Sequence, residues 1–101
     1  MENYKVVVSR LALDDLEMIS DFIVKLNTTE ASRIFVSNLY DDIQSLSYLA
    51  AMIPLSTSNT LKKIHPNAKR LLSKNKKWNI VFYINEGYVV VDRIILSKTV
   101  K

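Results

Sequence analysis

The sequence has no cysteine, so neither a disulfide framework nor a thiolate metal site can stabilise the fold, and an apolar core has to suffice. That suits a reducing compartment. It has one glycine, which rules out a glycine-rich, phosphate-cradling loop. With one histidine, every serine has only His65 to call upon, and no Ser-His-Asp arrangement can be assembled. No second histidine, cysteine pair or carboxylate at ligand spacing accompanies His65, so no metal site and no cofactor are expected. No apolar run approaches the roughly 20 residues that span a bilayer. The opening apolar segment, Val6-Val7-Val8, is too short for a signal peptide's hydrophobic region. These absences point to a cytoplasmic protein with no membrane partner.

Acid is also missing from one long stretch. Residues 1–42 carry four Lys/Arg against eight Asp/Glu, a balance of 4 − 8 = −4, whereas residues 43–101 carry ten against two, 10 − 2 = +8. Between Asp42 and Glu86 there is no carboxylate, yet Lys62, Lys63, Lys69, Arg70, Lys74, Lys76 and Lys77 all fall there. A basic region of this kind attracts nucleic acid or an acidic protein segment by salt-sensitive Coulomb steering. The plainer reading is a solvated lysine-rich loop kept for solubility.

What is present is a packed globular composition. The 101 residues are 49% hydrophobic with two prolines, which suits one domain spanning residues 1–101 and neither a disordered nor a fibrous chain. Tyr4–Val8 is β-branched and short, and reads as a first strand. Ser9 is placed to cap a helix, along which Ala12, Leu16, Ile19, Ile23 and Leu26 form one apolar stripe. Asp14 and Asp15 lie near the positive end of its dipole. Asn27-Thr28-Thr29-Glu30 ends this helix and starts another, with Ala31, Phe35, Leu39, Ile43, Leu46 and Ala50 at helical spacing until Pro54 stops it. Residues 54–66 read as a surface loop or irregular segment. Ala68–Ser73 is a candidate strand. Trp78, Ile80, Phe82 and Ile84 then alternate with Asn79, Val81 and Tyr83 at the period of a strand, Asn85-Glu86-Gly87 supplies a tight turn, and Tyr88–Ser97 returns antiparallel. The expected fold is α+β in the order β-α-α-β-β-β, a helical hairpin packed on an antiparallel sheet of about four strands.

This order, with Ser9-Arg10-Leu11-Ala12, Asp15-Leu16-Glu17, Ile43-Gln44-Ser45-Leu46, Lys69-Arg70-Leu71, the aromatic strand Trp78–Tyr83, Gly87, Val89-Val90-Val91 and Arg93-Ile94-Ile95, resembles the RelE/ParE toxin superfamily along nearly the whole chain. The resemblance implies the toxin of a bacterial type II toxin–antitoxin pair, of the plasmid stabilisation kind. Its cognate antitoxin would wrap a flexible segment across the helices and sheet. RelE-like members resemble ribosome-dependent mRNA endoribonucleases, and ParE-like members look like non-catalytic inhibitors of DNA gyrase.

RNA cleavage through the 2′-hydroxyl needs a base, cations for the phosphorane charge and an acid for the leaving oxygen. The resemblance implies an arginine on the third strand and a C-terminal tyrosine for such work. Asn79 stands at the arginine's place, and the sequence closes Ser97-Lys98-Thr99-Val100-Lys101 without an aromatic. Arg70, His65, Tyr83, Arg93 and Lys98 remain as catalytic candidates, His65 because imidazole titrates near neutrality. A loop histidine beside Pro66 is also often structural. Trp78 and Phe82 read as core residues before base-stacking ones, and Tyr83 and Tyr88 suit a surface or interface.

A ParE-like binding toxin is therefore the favoured reading, with Arg10, Lys69, Arg70, Arg93 and Lys98 as target contacts. Phe22, Tyr40 and Tyr48 are the candidate antitoxin contacts. A RelE-like nuclease and a basic nucleic-acid-binding domain outside any toxin system are the alternatives. The assembly is open between a homodimer and a toxin–antitoxin hetero-oligomer.

Overall fold

The computed structural model describes residues 3–26 and 29–97. Strand β1, Lys5–Val8, leads into helix α1, Arg10–Leu26, and helix α2, Thr29–Gln44. Ser9 caps α1 as expected: its Oγ accepts from the Ala12 N–H at 3.0 Å, satisfying an amide that has no partner within the helix. The expected capping contribution of Asn27 and Thr28 lies outside the described residues.

The second helix does not run unbroken toward Pro54. Ser45 Oγ donates to the Asp42 carbonyl at 2.6 Å, a back-bond that competes with the helical ladder, and α2 ends there although Ser45 keeps helical dihedrals. A short helix α3, Leu46–Leu49, and a 3-10 turn, Ala50–Met52, follow. Leu46 and Ala50 nevertheless stay fully buried, so the apolar period keeps its face through the break. The segment 54–66, expected as loop, contains helix α4, Asn59–Ile64, capped by Ser58 Oγ accepting from the Leu61 N–H at 3.4 Å. Six residues are too few for periodicity to show; what holds α4 is Leu61, buried against Ala68 and Val81.

Strands β2, Lys69–Leu72, β3, Trp78–Asn85, and β4, Tyr88–Leu96, complete a four-stranded sheet in the order β1-β4-β3-β2. The antiparallel arrangement holds for β2, β3 and β4, but β1 joins β4 in parallel, Val6 opposite Val89 and Val8 opposite Val91. The sheet is mixed because the hairpin carries the chain away from β1, and β4 returns beside it in the same direction. Between β3 and β4, Glu86 (φ 48°) and Gly87 (φ 84°) are both left-handed, the type I′ geometry that matches strand twist.

Register assigns the faces, since cross-strand partners share one. Trp78, Ile80, Phe82 and Ile84 lie with Leu96, Ile94, Val91 and Val89. This face packs against the hairpin, where Ala12, Ile19, Leu39, Ile43 and Leu46 close the main core. The opposite face carries Arg70, Leu72, Asn79, Val81, Tyr83, Val90 and Ile95, and α4 covers part of it through the second, smaller core.

Candidate interaction surfaces

On the face away from the hairpin, β3 presents Tyr83, and His65, the residue that ends α4, lies flat on it. The ring centroids are 3.8 Å apart and the planes differ by 4°. His65 Nδ1 accepts from the Asn67 N–H at 3.0 Å, which fixes the ring and leaves the Nε2 side of the imidazole as the donor in the neutral form. Arg70 pairs with Val81, two residues before Tyr83 on the same strand, so its exposed side chain stands on this same face. The fold thus brings His65, Tyr83 and Arg70 onto one surface; Lys62 and Lys63 are exposed in the last turn of α4.

The other sequence candidates are dispersed. Arg93 is on the same face by register, yet its guanidinium is engaged at the sheet edge. Nε donates to Asp15 Oδ2 at 2.8 Å and a terminal nitrogen to Asp15 Oδ1 at 3.1 Å, while the Ile94 N–H donates to Oδ2 at 2.9 Å. These bonds hold the guanidinium still more firmly in its charged form. Arg93 therefore closes the fold rather than projecting as a free cation. Lys69 is likewise turned inward: its ammonium donates to the Ala50 carbonyl at 3.0 Å, tying the 3-10 turn to β2, and burial lowers its pKa. Arg10 is exposed on the first turn of α1. Lys98 lies outside the described residues. Asn79 is 2% exposed, so the position where an arginine was expected faces into packed protein and not onto the surface. Phe82 is fully buried, and Trp78 meets Phe35 edge to face, with centroids 6.5 Å apart.

A second surface lies on the hairpin side. Helix α1 and the end of β4 wall an apolar groove of about 900 Å³, floored by Ile19, Ile23, Phe35, Trp78 and Ile94. Along its rim Met18, Phe22 and Leu26 are 70%, 56% and 64% exposed. Of the three candidate antitoxin contacts only Phe22 lies here. Tyr40 faces a separate shallow depression with Val24 and Val36, and Tyr48 is exposed on α3. Met18 was legible as a contact residue, four positions before Phe22 on a second apolar stripe; Leu26, expected on the core-facing stripe, is 64% exposed because the helix ends there beyond the sheet-packed core, and it joins this rim instead. Asp15, read as a dipole partner, turned out to be the clamp on Arg93.

Among the described residues no group of three or more His, Asp or Glu side chains could hold a metal ion. Nor is any described helix long and apolar enough to cross a membrane.

No family model matches the sequence, and no curated protein matches it. Solved structures do. A chain of the chromosomal ParDE TA system from P. aeruginosa superposes with a TM-score of 0.79 over 92% of this chain and 95% of that one, at 19% identity. The RelE/ParE-like fold expected from the residues is thus the fold observed.

Proposed function

We propose that this chain is the toxin half of a bacterial toxin–antitoxin module, ParE-like in acting by occupying a large target, DNA gyrase, rather than by cutting RNA. The observation that carries the reading is the open apolar groove along α1, on a fold shared with a chain of a ParDE system. A groove this apolar on a small protein is unfavourably wet until a partner covers it, and an antitoxin segment is the partner that the reading supplies. The opposite face, with Arg70 exposed on its edge strand, is then left for the target.

Two features favour binding over cleavage. Asn79 is buried, so no cation can act from its position, and Arg93 is already paired with Asp15. Stabilising a phosphorane needs cations free to face it, and of the two arginines on this face only Arg70 is outside an ion pair. A second reading, a RelE-like mRNA endoribonuclease, draws support from one specific arrangement, the His65–Tyr83 stack beside Arg70.

Expression in bacteria tests both. Growth arrest, relieved by co-expressing a small acidic protein encoded beside this gene, is the expected result. If growth is unaffected, both toxin readings fail and a plain nucleic-acid-binding domain takes their place. Given arrest, mapping the 5′ ends of cellular mRNA separates the targets. New ends inside codons of translated messages, lost in Arg70→Ala and His65→Ala, would establish the nuclease; intact messages with arrested supercoiling would establish gyrase.

A further inference from the structure

We infer that the cavity between the end of α2 and the β2–β3 turn is a binding site for a small organic cation of the guanidinium type, held through Asp42. The inference stands apart from the toxin reading and does not need it.

The cavity measures about 270 Å³ and is walled by Phe35, Asn38 and Asp42 of α2 and by Lys74, Asn75 and Trp78 from the turn and the start of β3. Its chemistry starts with Asp42, which is 8% exposed. A carboxylate taken out of water is ordinarily matched by a cation or by several N–H groups. Asp42 has less than that: Oδ2 accepts from the Lys74 backbone N–H at 3.0 Å, and Oδ1 has no partner among the described residues. Fourteen Lys/Arg stand against ten Asp/Glu in the sequence, yet none is committed to this carboxylate. Lys74 lines the same cavity, and its ammonium forms no ion pair with Asp42.

The helix adds to the imbalance. Asp42 sits in the last turn of α2, which carries no basic residue, so the negative end of the helix dipole lies beside the carboxylate. A cation is the complement. The other walls narrow its kind. Phe35 and Trp78 supply two aromatic rings, which attract a cation to their faces, tryptophan best of all. The exposed Asn38 adds an amide oxygen that accepts from an N–H. A guanidinium suits all three, because it is flat, forks onto a carboxylate and stacks on an aromatic face, whereas an ammonium is a strongly hydrated point charge. The turn is also held in shape before anything binds. The Trp78 N–H donates to Ser73 Oγ at 3.2 Å, and Asn75 Oδ1 accepts from Ser73 Oγ at 2.7 Å and from the Lys77 N–H at 3.1 Å, which lowers the ordering cost of binding.

Trp78, the only tryptophan of the chain, lines the cavity, and its emission reads occupancy. The probes are N-acetylarginine amide, its uncharged isostere N-acetylcitrulline amide, and N-acetyllysine amide, titrated at constant ionic strength. The arginine probe is expected to change the emission saturably. The citrulline probe should bind about tenfold more weakly, the scale of one charge-assisted hydrogen bond, and the lysine probe about threefold more weakly. Trp78 also borders the α1 groove, so Asp42→Asn assigns the change to this cavity. That variant keeps an acceptor for the Lys74 N–H and should lose about tenfold in affinity for the arginine probe with circular dichroism unchanged. Lys74→Gln removes an exposed like charge and should tighten binding by about two- to threefold.

No saturable change with the arginine probe up to its solubility limit overturns the site. Citrulline binding as tightly as arginine, or an Asp42→Asn protein of unaltered affinity, overturns the cation, and lysine binding as tightly overturns the guanidinium. If Asp42→Asn alters the circular dichroism, the citrulline comparison on the unaltered protein decides. A peptide with a central arginine separates the sources: affinity well above that of the free probe places the guanidinium on a partner protein, and equal affinity places it on a free small molecule, either result supporting the site.

Discussion

Replacing Asp15 by alanine tests how the edge of the sheet is held. The carboxylate accepts three hydrogen bonds, two from the Arg93 guanidinium and one from the Ile94 N–H, and its side chain is 12% exposed against 37% for Arg93. Removing it leaves a backbone donor without its acceptor, a loss of about 1–3 kcal/mol. It also breaks an ion pair worth about 1 kcal/mol once the exposure of the arginine is allowed for. Asp15→Ala should therefore destabilise the protein by about 2–4 kcal/mol, lowering the thermal midpoint by about 4–8 °C per kcal/mol in a domain of this size. Asp15→Asn keeps an acceptor for Ile94 and discharges the pair, so it should cost about 1 kcal/mol. Urea denaturation at neutral pH measures both, and a double-mutant cycle with Arg93→Ala isolates the pair, with a coupling of about 0.5–1.5 kcal/mol. Equal losses in Asp15→Ala and Asp15→Asn would show that the backbone bond to Ile94 contributes nothing. A coupling of zero would show that the pair with Asp15 does not hold Arg93, leaving it free to act as a target contact.

Three further outcomes follow from single positions. Asn79 is 2% exposed and its amide nitrogen has no acceptor among the described residues, so Asn79→Leu, similar in volume, should raise stability by about 1 kcal/mol in urea titration and leave growth inhibition intact. A loss of toxicity in that variant would restore Asn79 to the functional surface. Glu86 holds a left-handed conformation in the β3–β4 turn, and Glu86→Asn should stabilise by about 0.5–1 kcal/mol, since asparagine tolerates that region best after glycine; a lowered midpoint refutes the turn assignment. Ser9→Ala removes both the α1 cap and the bond to Asp92 and should cost about 1–2 kcal/mol by thermal unfolding, with a loss under half of that assigning the cap no weight.

The edge clamp also bears on function. Of the two side chains that close β4, Ser9 caps α1 and Asp15, on α1, lines the groove. Whatever docks there meets a finished edge and an apolar wall, which makes side-chain complementarity the source of specificity. The face that carries Arg70 and Tyr83 is separated from it by the thickness of the sheet.

What the residues determined alone is the part of the fold written in short-range periodicity. Alternation over Trp78–Ile84, the stripe Ala12–Ile23 and the Ser9 cap each involve neighbours within a few positions, where backbone geometry dictates the face. The charge division between residues 1–42 and 43–101 was equally legible. Tertiary structure alone decided the rest. The parallel seat of β1 against β4, the Asp15–Arg93 clamp across 78 residues and the stacking of His65 on Tyr83 all join distant segments. Their partners are selected by packing and desolvation rather than by spacing. The same holds for the break at Ser45, where a side-chain hydrogen bond to a carbonyl overrode an unbroken apolar pattern. Of the cationic residues, those that remain available to a target are the ones that the folded chain did not use to close itself.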